Sequence, residues 1–162
     1  MAKRKPPEYP PRGNFEKKLP MTPTEERFFR ILEEAFASAY YIFPKVALFE
    51  IVKNTHYEDF EYIGGKNIDF MLYDKTTFMP ICAIELNDAT HKRRNTREID
   101  LVKQFLLSEA DIPYAAIDVH EWFSPNKIRH TVMNTKITRM EYPLPLNDPV
   151  TVEVEEYDPE EE

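Results

Sequence analysis

Two acidic residues lie inside apolar segments of the sequence, where a carboxylate is unexpected. Asp69 belongs to the segment NIDFML and Glu85 to the segment ICAIELN. Burying a carboxylate is costly unless it is paired with a cation or bound to a metal. A short turn joins the two segments, so we expect them to be neighbouring arms of a hairpin. That arrangement brings Asp69 and Glu85 to the same end of a sheet.

An amide side chain follows the second carboxylate. Residues two apart on a strand point to the same face, so Asn87 lies on the same side as Glu85. Carboxylate and amide oxygens are the hard ligands that suit Mg²⁺ or Mn²⁺. The alternative interpretation is that each carboxylate lies in solvent at a strand end, or pairs with an arginine of the basic segment 90–98.

The elements that position these residues follow from apolar periodicity and turn signals. A helix begins at the Thr22-Pro23 cap and runs to about Tyr40, and Glu25 completes a capping box with Thr22. The remaining elements are expected as strands at 41–52 (irregular at Pro44), 67–74, 78–87 and 114–119, and helices at 96–110 and 125–134.

The order of these elements is α-β-β-β-α-β before the last helix. A hairpin followed by a helical crossover into another strand predicts an α/β fold with a mixed four-stranded sheet flanked by helices. The first helix presents an apolar face made of Phe28, Ile31, Leu32, Ala35 and Phe36. The helix at 96–110 is expected to pack through Ile99, Val102, Leu106 and Ala110.

Length and charge divide the chain into three parts. The 162 residues suffice for about one domain. Residues 1–20 contain five prolines and a net charge of +4, from six Lys/Arg and two Glu, and are interpreted as a disordered basic arm. Residues 21–140 form the domain. Residues 141–162 carry nine acidic residues and no Lys/Arg, and are interpreted as an acidic tail, first extended and then disordered.

Composition excludes several classes of protein. The single cysteine, Cys82, excludes a disulfide scaffold and a multi-cysteine zinc module, and favours a cytoplasmic location. No apolar run approaches the ~20 residues of a membrane span. The N-terminus, basic and proline-rich, lacks the apolar stretch of a secretory signal.

An ordered set of motifs resembles the PD-(D/E)XK, or restriction-endonuclease-like, nuclease superfamily. The set is closest to the branch of the very-short-patch repair endonuclease and to an uncharacterised bacterial domain family within the superfamily. It covers about residues 21–120 and consists of Thr22-Pro23-Thr24-Glu25, Ile68-Asp69-Phe70, Ile84-Glu85-Leu86-Asn87 through His91, and Asp100 in the next helix. The resemblance implies a restriction-endonuclease-like core.

The resemblance also implies roles for individual residues. Asp69, Glu85 and the carbonyl of Leu86 would hold Mg²⁺ or Mn²⁺. Asn87 occupies a third position that is often Lys or Asp in the superfamily, and an amide cannot take a proton there. His91 would then carry the acid–base function.

Basic and polar residues after the third strand would contact the substrate. Phosphate-binding cations would come from Lys92, Arg93, Arg94 and Arg97. Gln104 shares a helix face with Arg97 and Asp100 and would position water or phosphate, unless that face is simply solvated. Glu25 either approaches the site or only caps its helix, and we favour the cap.

These observations support a metal-dependent nuclease that hydrolyses phosphodiester bonds, with DNA favoured over RNA. The alternative, favoured by Asn87, is a catalytically weakened member that acts as a nucleic-acid or protein binding module. A third possibility is an acidic structural or regulatory protein that acts through its tails. The expected partners are nucleic acid and a second copy or another protein, and no membrane.

Overall fold

A computed structural model describes residues 7–87, 94–121, 124–142 and 144, with the backbone alone at residues 57 and 94–96. The helices are α1 (Pro23–Phe36), α2 (Leu48–Ile51), α3 (Phe60–Ile63), α4 (Arg94–Glu109) and α5 (Pro125–Met133). The strands are β1 (Tyr40–Ala47), β2 (Asn67–Asp74), β3 (Pro80–Asn87) and β4 (Tyr114–Asp118). A short 3₁₀ turn at Tyr57–Asp59 precedes α3.

The four strands form one mixed sheet in the order β1-β2-β3-β4. β1, β2 and β3 are joined antiparallel, and β4 runs parallel to β3 after the crossover through α4. The prediction of a mixed four-stranded sheet flanked by helices is therefore confirmed. β2 has the predicted bounds, and β4 ends one residue earlier than expected.

Helices cover both faces of the sheet. On one face lies the α1/α5 cluster, whose buried members are Phe28, Leu32, Ala35, Phe36, Phe70, Leu72, Cys82, Ile84, Ala115, Ile117, Ile128 and Val132. On the other face lies the α4 cluster, whose buried members are Leu48, Ile63, Ile68, Met71, Ala83, Leu107 and Ile112.

Helix α1 begins as its sequence predicts. The Thr22 hydroxyl accepts a hydrogen bond from the Glu25 backbone N–H at 3.2 Å, and the Glu25 carboxylate accepts from the Thr22 N–H at 2.8 Å. This reciprocal pair is the capping box, and it satisfies two donors that the helix leaves unpaired. The Ser124 hydroxyl caps α5 in the same way, through the N–H of Lys127.

Side chains along β1 and β2 stop alternating regularly between the two faces of the sheet near residues 45 and 69. Phe70 packs in the α1/α5 cluster, but Ile68, two residues earlier, packs in the α4 cluster. Val46, the β1 partner of Ile68, also packs against the α4 cluster. Lys45 explains the change, because its φ of 54° is left-handed and turns the strand. Asp69 lies opposite this residue.

The bounds of β3, β4, α4 and α5 differ from those expected by one or two residues, and three differences are larger. The strand expected at 41–52 ends at Ala47, because the chain turns into the short helix α2. The polar stretch at 53–66 contains the 3₁₀ turn and α3 before the predicted turn at Gly64-Gly65, where Gly65 has a φ of 72°. Helix α1 ends at Phe36 rather than near Tyr40.

The packing face of α4 was predicted incorrectly in part. Ile99 is 46% exposed, and the helix buries Leu101, Lys103 and Leu107 instead. Leu106 and Ala110 pack only at the margin of the α4 cluster. The helix turns this face to the sheet because a lysine on it finds a partner there.

Both ends of the chain fall partly outside the described residues. Residues 7–20 contain no helix or strand, in keeping with the expected arm. The expected tail lies almost entirely outside the description, since only residues 141, 142 and 144 belong to it. Within the described part of the chain, no helix has the length and apolar character needed to cross a membrane.

Candidate functional site

Glu85 is a buried carboxylate in the middle of the sheet. Its residue is 5% exposed, and its Oε1 accepts a hydrogen bond from the Lys103 Nζ at 2.7 Å. Lys103 reaches it from α4 and is itself 8% exposed. The same ammonium donates to the backbone carbonyl of Asn67 at 3.1 Å and lies 3.8 Å from the Asp100 carboxylate. The pair therefore connects α4 to β2 and β3.

The surroundings of Glu85 disfavour its charged form. Burial is the largest cause, and a hydrogen-bonding contact with Asp69 and the negative charge of Asp69 add to it. The Lys103 ammonium acts in the opposite direction but is outweighed, so the pKa of Glu85 rises to about 8. This contact also shows that the structure brings Asp69 and Glu85 together, as the hairpin predicted.

Asp69 occupies a gap at the end of the β2–β3 ladder. The paired residues end with Phe70 opposite Ile84. Beyond them the backbone N–H of Leu86 donates to the Asp69 Oδ2 at 3.0 Å. The side chain of Asp69 therefore takes the place of a backbone acceptor, and its second oxygen is left for other partners.

Lys45 and Glu25 complete the group on the other side of Asp69. The Lys45 Nζ donates to the Asp69 Oδ1 at 3.3 Å and to the Glu25 Oε1 at 2.5 Å. Burial lowers the pKa of Lys45. The hydrogen bond to Glu25 and the charge of Asp69 raise it by more, so the net shift of the pKa is upward. Glu25 caps α1 with one oxygen and binds Lys45 with the other, so the cap we favoured is only half of its role.

These five residues form the carboxylate cluster: Glu25, Lys45, Asp69, Glu85 and Lys103. With Asp100 at its edge, four formal negative charges face two positive ones. Half-buried Tyr114, at the start of β4, is influenced by the same carboxylates. Burial first, and then the charges of Glu85, Asp100 and Asp69, raise its pKa well above the ordinary value.

Three other predicted site residues lie in the described part of the chain. Asn87 ends β3 half-buried, and its backbone carbonyl accepts from the Val119 N–H at 2.9 Å. Arg97 is exposed on α4. Gln104 is half-buried on α4, but the adjacent Lys103 is the residue whose side chain reaches Glu85.

Most side chains of the basic segment 90–98 lie outside the described residues. His91, Lys92 and Arg93 lie outside the described residues, and the side chain of Arg94 is not described. Their predicted roles in proton transfer and phosphate binding stay predictions.

Sequence reasoning missed both lysines of the cluster. Lys45 follows the proline at which we expected an irregular strand, so the signal was present at the neighbouring residue. Lys103 lies three residues after Asp100, a spacing that places both on one helical face. Among the residues that the structure describes, the cations that pair with the carboxylates are two lysines.

The donor set fits a hard divalent cation. Within the described ranges, no group of three or more His, Cys, Asp and Glu side chains is arranged to hold a metal ion. Mg²⁺ does not require one, because it is commonly held by one or two carboxylates and completes its shell with water and substrate phosphate. Asp69 and Glu85 would supply the two carboxylates of such a site, beside the backbone of Leu86.

The chain belongs to the family described as "Protein of unknown function (DUF2726)", whose model matches residues 17–135. The matched range includes every residue of the carboxylate cluster and all four strands. No curated protein and no solved structure matches the chain.

The left-handed backbone at Lys45 predicts that glycine and alanine at this position differ in their effect on stability. Lys45→Gly and Lys45→Ala both remove the ammonium, but only glycine adopts a φ of 54° without strain. We expect the glycine variant to be more stable than the alanine variant by about 1 kcal/mol. Urea unfolding of the two proteins measures the difference. Equal stability, or a more stable alanine variant, would contradict the assigned conformation.

The raised pKa of Glu85 predicts a pH dependence of metal-free stability. Between the ordinary value of 4.5 and about 8, the folded state keeps a proton that the unfolded state releases. The stability from Glu85 is therefore present at low pH and is lost as the pH rises through 8. In EDTA, the unfolding free energy of wild type relative to Glu85→Gln should fall with pH across this range, by up to about 1.4 kcal/mol per unit.

A matched control is Glu26→Gln, which changes an exposed glutamate on α1. The unfolding free energy of wild type relative to Glu26→Gln should not fall with pH in this way. A wild-type advantage over Glu85→Gln that stays flat or grows between pH 5 and 8 would show that the Glu85 pKa is not raised.

Proposed function

We propose that this domain is a metal-dependent nuclease that hydrolyses phosphodiester bonds of nucleic acid, with DNA favoured. The observation that carries the proposal is the convergence of Asp69 and Glu85 from neighbouring strands, each with a lysine at its other side. The element order, with a crossover helix after the third strand, agrees with the restriction-endonuclease-like core that the motifs resemble.

The carboxylates would hold a Mg²⁺ or Mn²⁺ ion together with the Leu86 carbonyl. A bound ion supplies two things, polarisation of the scissile phosphate and a lowered pKa of a coordinated water. The protein holds the two carboxylates in place beforehand. Leu86 fixes one oxygen of Asp69, Lys45 fixes the other, and Lys103 fixes Glu85.

Lys103 also compensates for the amide at position 87. The motif that Glu85-Leu86-Asn87 resembles often places a lysine at its last position, where Asn87 offers no positive charge. Lys103 presents an ammonium to the same carboxylate from α4. An ammonium beside the site would stabilise the charge that develops on phosphate oxygens. His91 remains the proposed general acid or base, and Lys92 and Arg93 the proposed phosphate contacts.

One observation favours the binding-module alternative. Glu85 and Asp69 each already contact a lysine of the same chain, so the cluster is held together by internal ion pairs. A domain that had lost catalysis could keep the same ion pairs for stability alone. Binding would then depend on the basic segment and would weaken as salt rises.

Cleavage assays with paired variants test the proposal. Wild type should cleave plasmid or single-stranded DNA with Mg²⁺ or Mn²⁺ and stop in EDTA. Asp69→Asn and Glu85→Gln remove one ligand charge each at almost constant shape. Each should lower the rate at least about 100-fold, equivalent to roughly 3 kcal/mol of transition-state stabilisation. The control Glu34→Gln, on an exposed site of α1, should cleave like wild type.

Lys103→Met separates a catalytic lysine from a merely structural one. It should reduce cleavage while the protein, checked by its thermal melt, stays folded. Absence of cleavage by wild type with both metals, on plasmid, single-stranded DNA and RNA, would overturn the nuclease proposal in favour of the binding module.

A further inference from the structure

Four aromatic side chains form an aromatic stripe on the β1–β2 side of the sheet. The stripe consists of Tyr41, Phe43, Tyr73 and Phe78. Phe78 is 64% exposed, Phe43 is 48% and Tyr41 is 38%, while Tyr73 is half-buried. Exposed apolar groups scattered singly are ordinary, but a contiguous group marks a surface that meets a partner.

Three rings of the stripe are nearly parallel, and Tyr73 is tilted at 48° to Phe43. Tyr41 and Phe78 have centroids 5.5 Å apart with planes at 17°, and Tyr41 and Phe43 are 6.4 Å apart with planes at 13°. Phe43 reaches Tyr73 at 5.1 Å. The Lys75 ammonium lies 5.5 Å from the Tyr41 ring centroid. The stripe therefore combines flat aromatic faces with a positive charge.

The stripe lies on the sheet face that also carries Lys103. Tyr73 packs against the α4 cluster, so the stripe continues the face on which Lys103 meets Glu85. Along β1, Tyr41 and Phe43 are two residues apart, a spacing of about 6.8 Å in an extended strand. Lys45 follows Phe43 by the same interval and contacts Asp69. The aromatic row thus leads along β1 to the carboxylate cluster.

The backbone at Phe78 is strained. Its φ of 58° is left-handed, a conformation that a bulky side chain rarely adopts. Strained residues of this kind cluster at functional surfaces.

Two carboxylates lie near the stripe. Asp74 accepts hydrogen bonds from the backbone N–H groups of Thr76 and Thr77. Burial first, and the charge of Glu50 second, raise the pKa of Tyr73.

We propose that the aromatic stripe binds unpaired bases of single-stranded nucleic acid and guides the strand toward the carboxylate cluster. Aromatic faces stack on any base, and a neighbouring cation binds the backbone, which is how proteins hold single strands without reading sequence. This inference rests on the proposed function, which supplies the reason for a strand to enter the cluster. It specifies the substrate class as single-stranded rather than duplex.

Binding without cleavage tests the stripe by itself. Labelled 12-nucleotide strands of DNA and of RNA, and the matching DNA duplex, are titrated with full-length protein in EDTA, and fluorescence anisotropy gives Kd. Tyr41→Ala and Phe78→Ala should each weaken single-strand binding about 5- to 150-fold, the equivalent of one stacked base. Duplex binding should change less than twofold. Tyr41→Trp should retain single-strand binding.

The control variant is Phe60→Ala, which removes an exposed aromatic ring from α3, outside the stripe. It should bind like wild type. Thermal melts confirm that each variant is folded. The DNA and RNA strands distinguish the two sources of unpaired bases, and either one bound through the stripe supports the inference.

Three results would overturn the inference. The first is no binding of single strands by wild type, and the second is alanine variants that bind as tightly as wild type. The third is a dimer, seen by sedimentation, that Phe78→Ala dissociates, which would make the stripe a contact between copies. Single-strand binding that depends on the stripe, with no cleavage when Mg²⁺ is added, would refute the nuclease alone. Cleavage that survives both alanine variants unchanged would refute the stripe alone.

Discussion

The ion pair between Glu85 and Lys103 joins the centre of the sheet to α4, and both of its members are almost completely buried. Loss of either partner would leave a buried polar group without its hydrogen bond, which costs about 1–3 kcal/mol. The pair determines which face of α4 meets the sheet, and it brings Asp100 to the margin of the cluster. The same ammonium binds the Asn67 carbonyl at the start of β2. The Lys103 side chain therefore also restricts the position of α4 along the strands.

The end of the regular β2–β3 pairing places Asp69 in the cluster. Regular pairing between β2 and β3 would give the Leu86 N–H a backbone acceptor, but the ladder ends before it, and Asp69 accepts that hydrogen bond instead. The left-handed residue Lys45 lies across from Asp69 and turns β1 at the same level. The two irregularities lie at the residues that place a carboxylate and an ammonium in the cluster.

Local signals in the sequence predicted most of the fold. The capping box at Thr22, the apolar face of α1 and the hairpin that brings Asp69 to Glu85 all depend on residues close in the chain. The errors concern contacts between distant segments. Ile99 looked like a core residue by periodicity, but α4 buries Lys103 because Glu85, 18 residues earlier, provides its partner. Lys45 was missed for the same reason, since a strand pattern does not reveal that one residue will be left-handed.

We propose that Asp69 and Glu85 are held together to bind a divalent cation. A crystal structure of the protein grown with Mn²⁺, measured at a wavelength where manganese scatters anomalously, tests it most directly. We expect an anomalous peak between the two carboxylates, at about 2.0–2.3 Å from their oxygens, and no such peak in crystals of Asp69→Asn. Well-ordered wild-type crystals with the Lys103–Glu85 pair intact and no anomalous peak at the cluster would contradict the account.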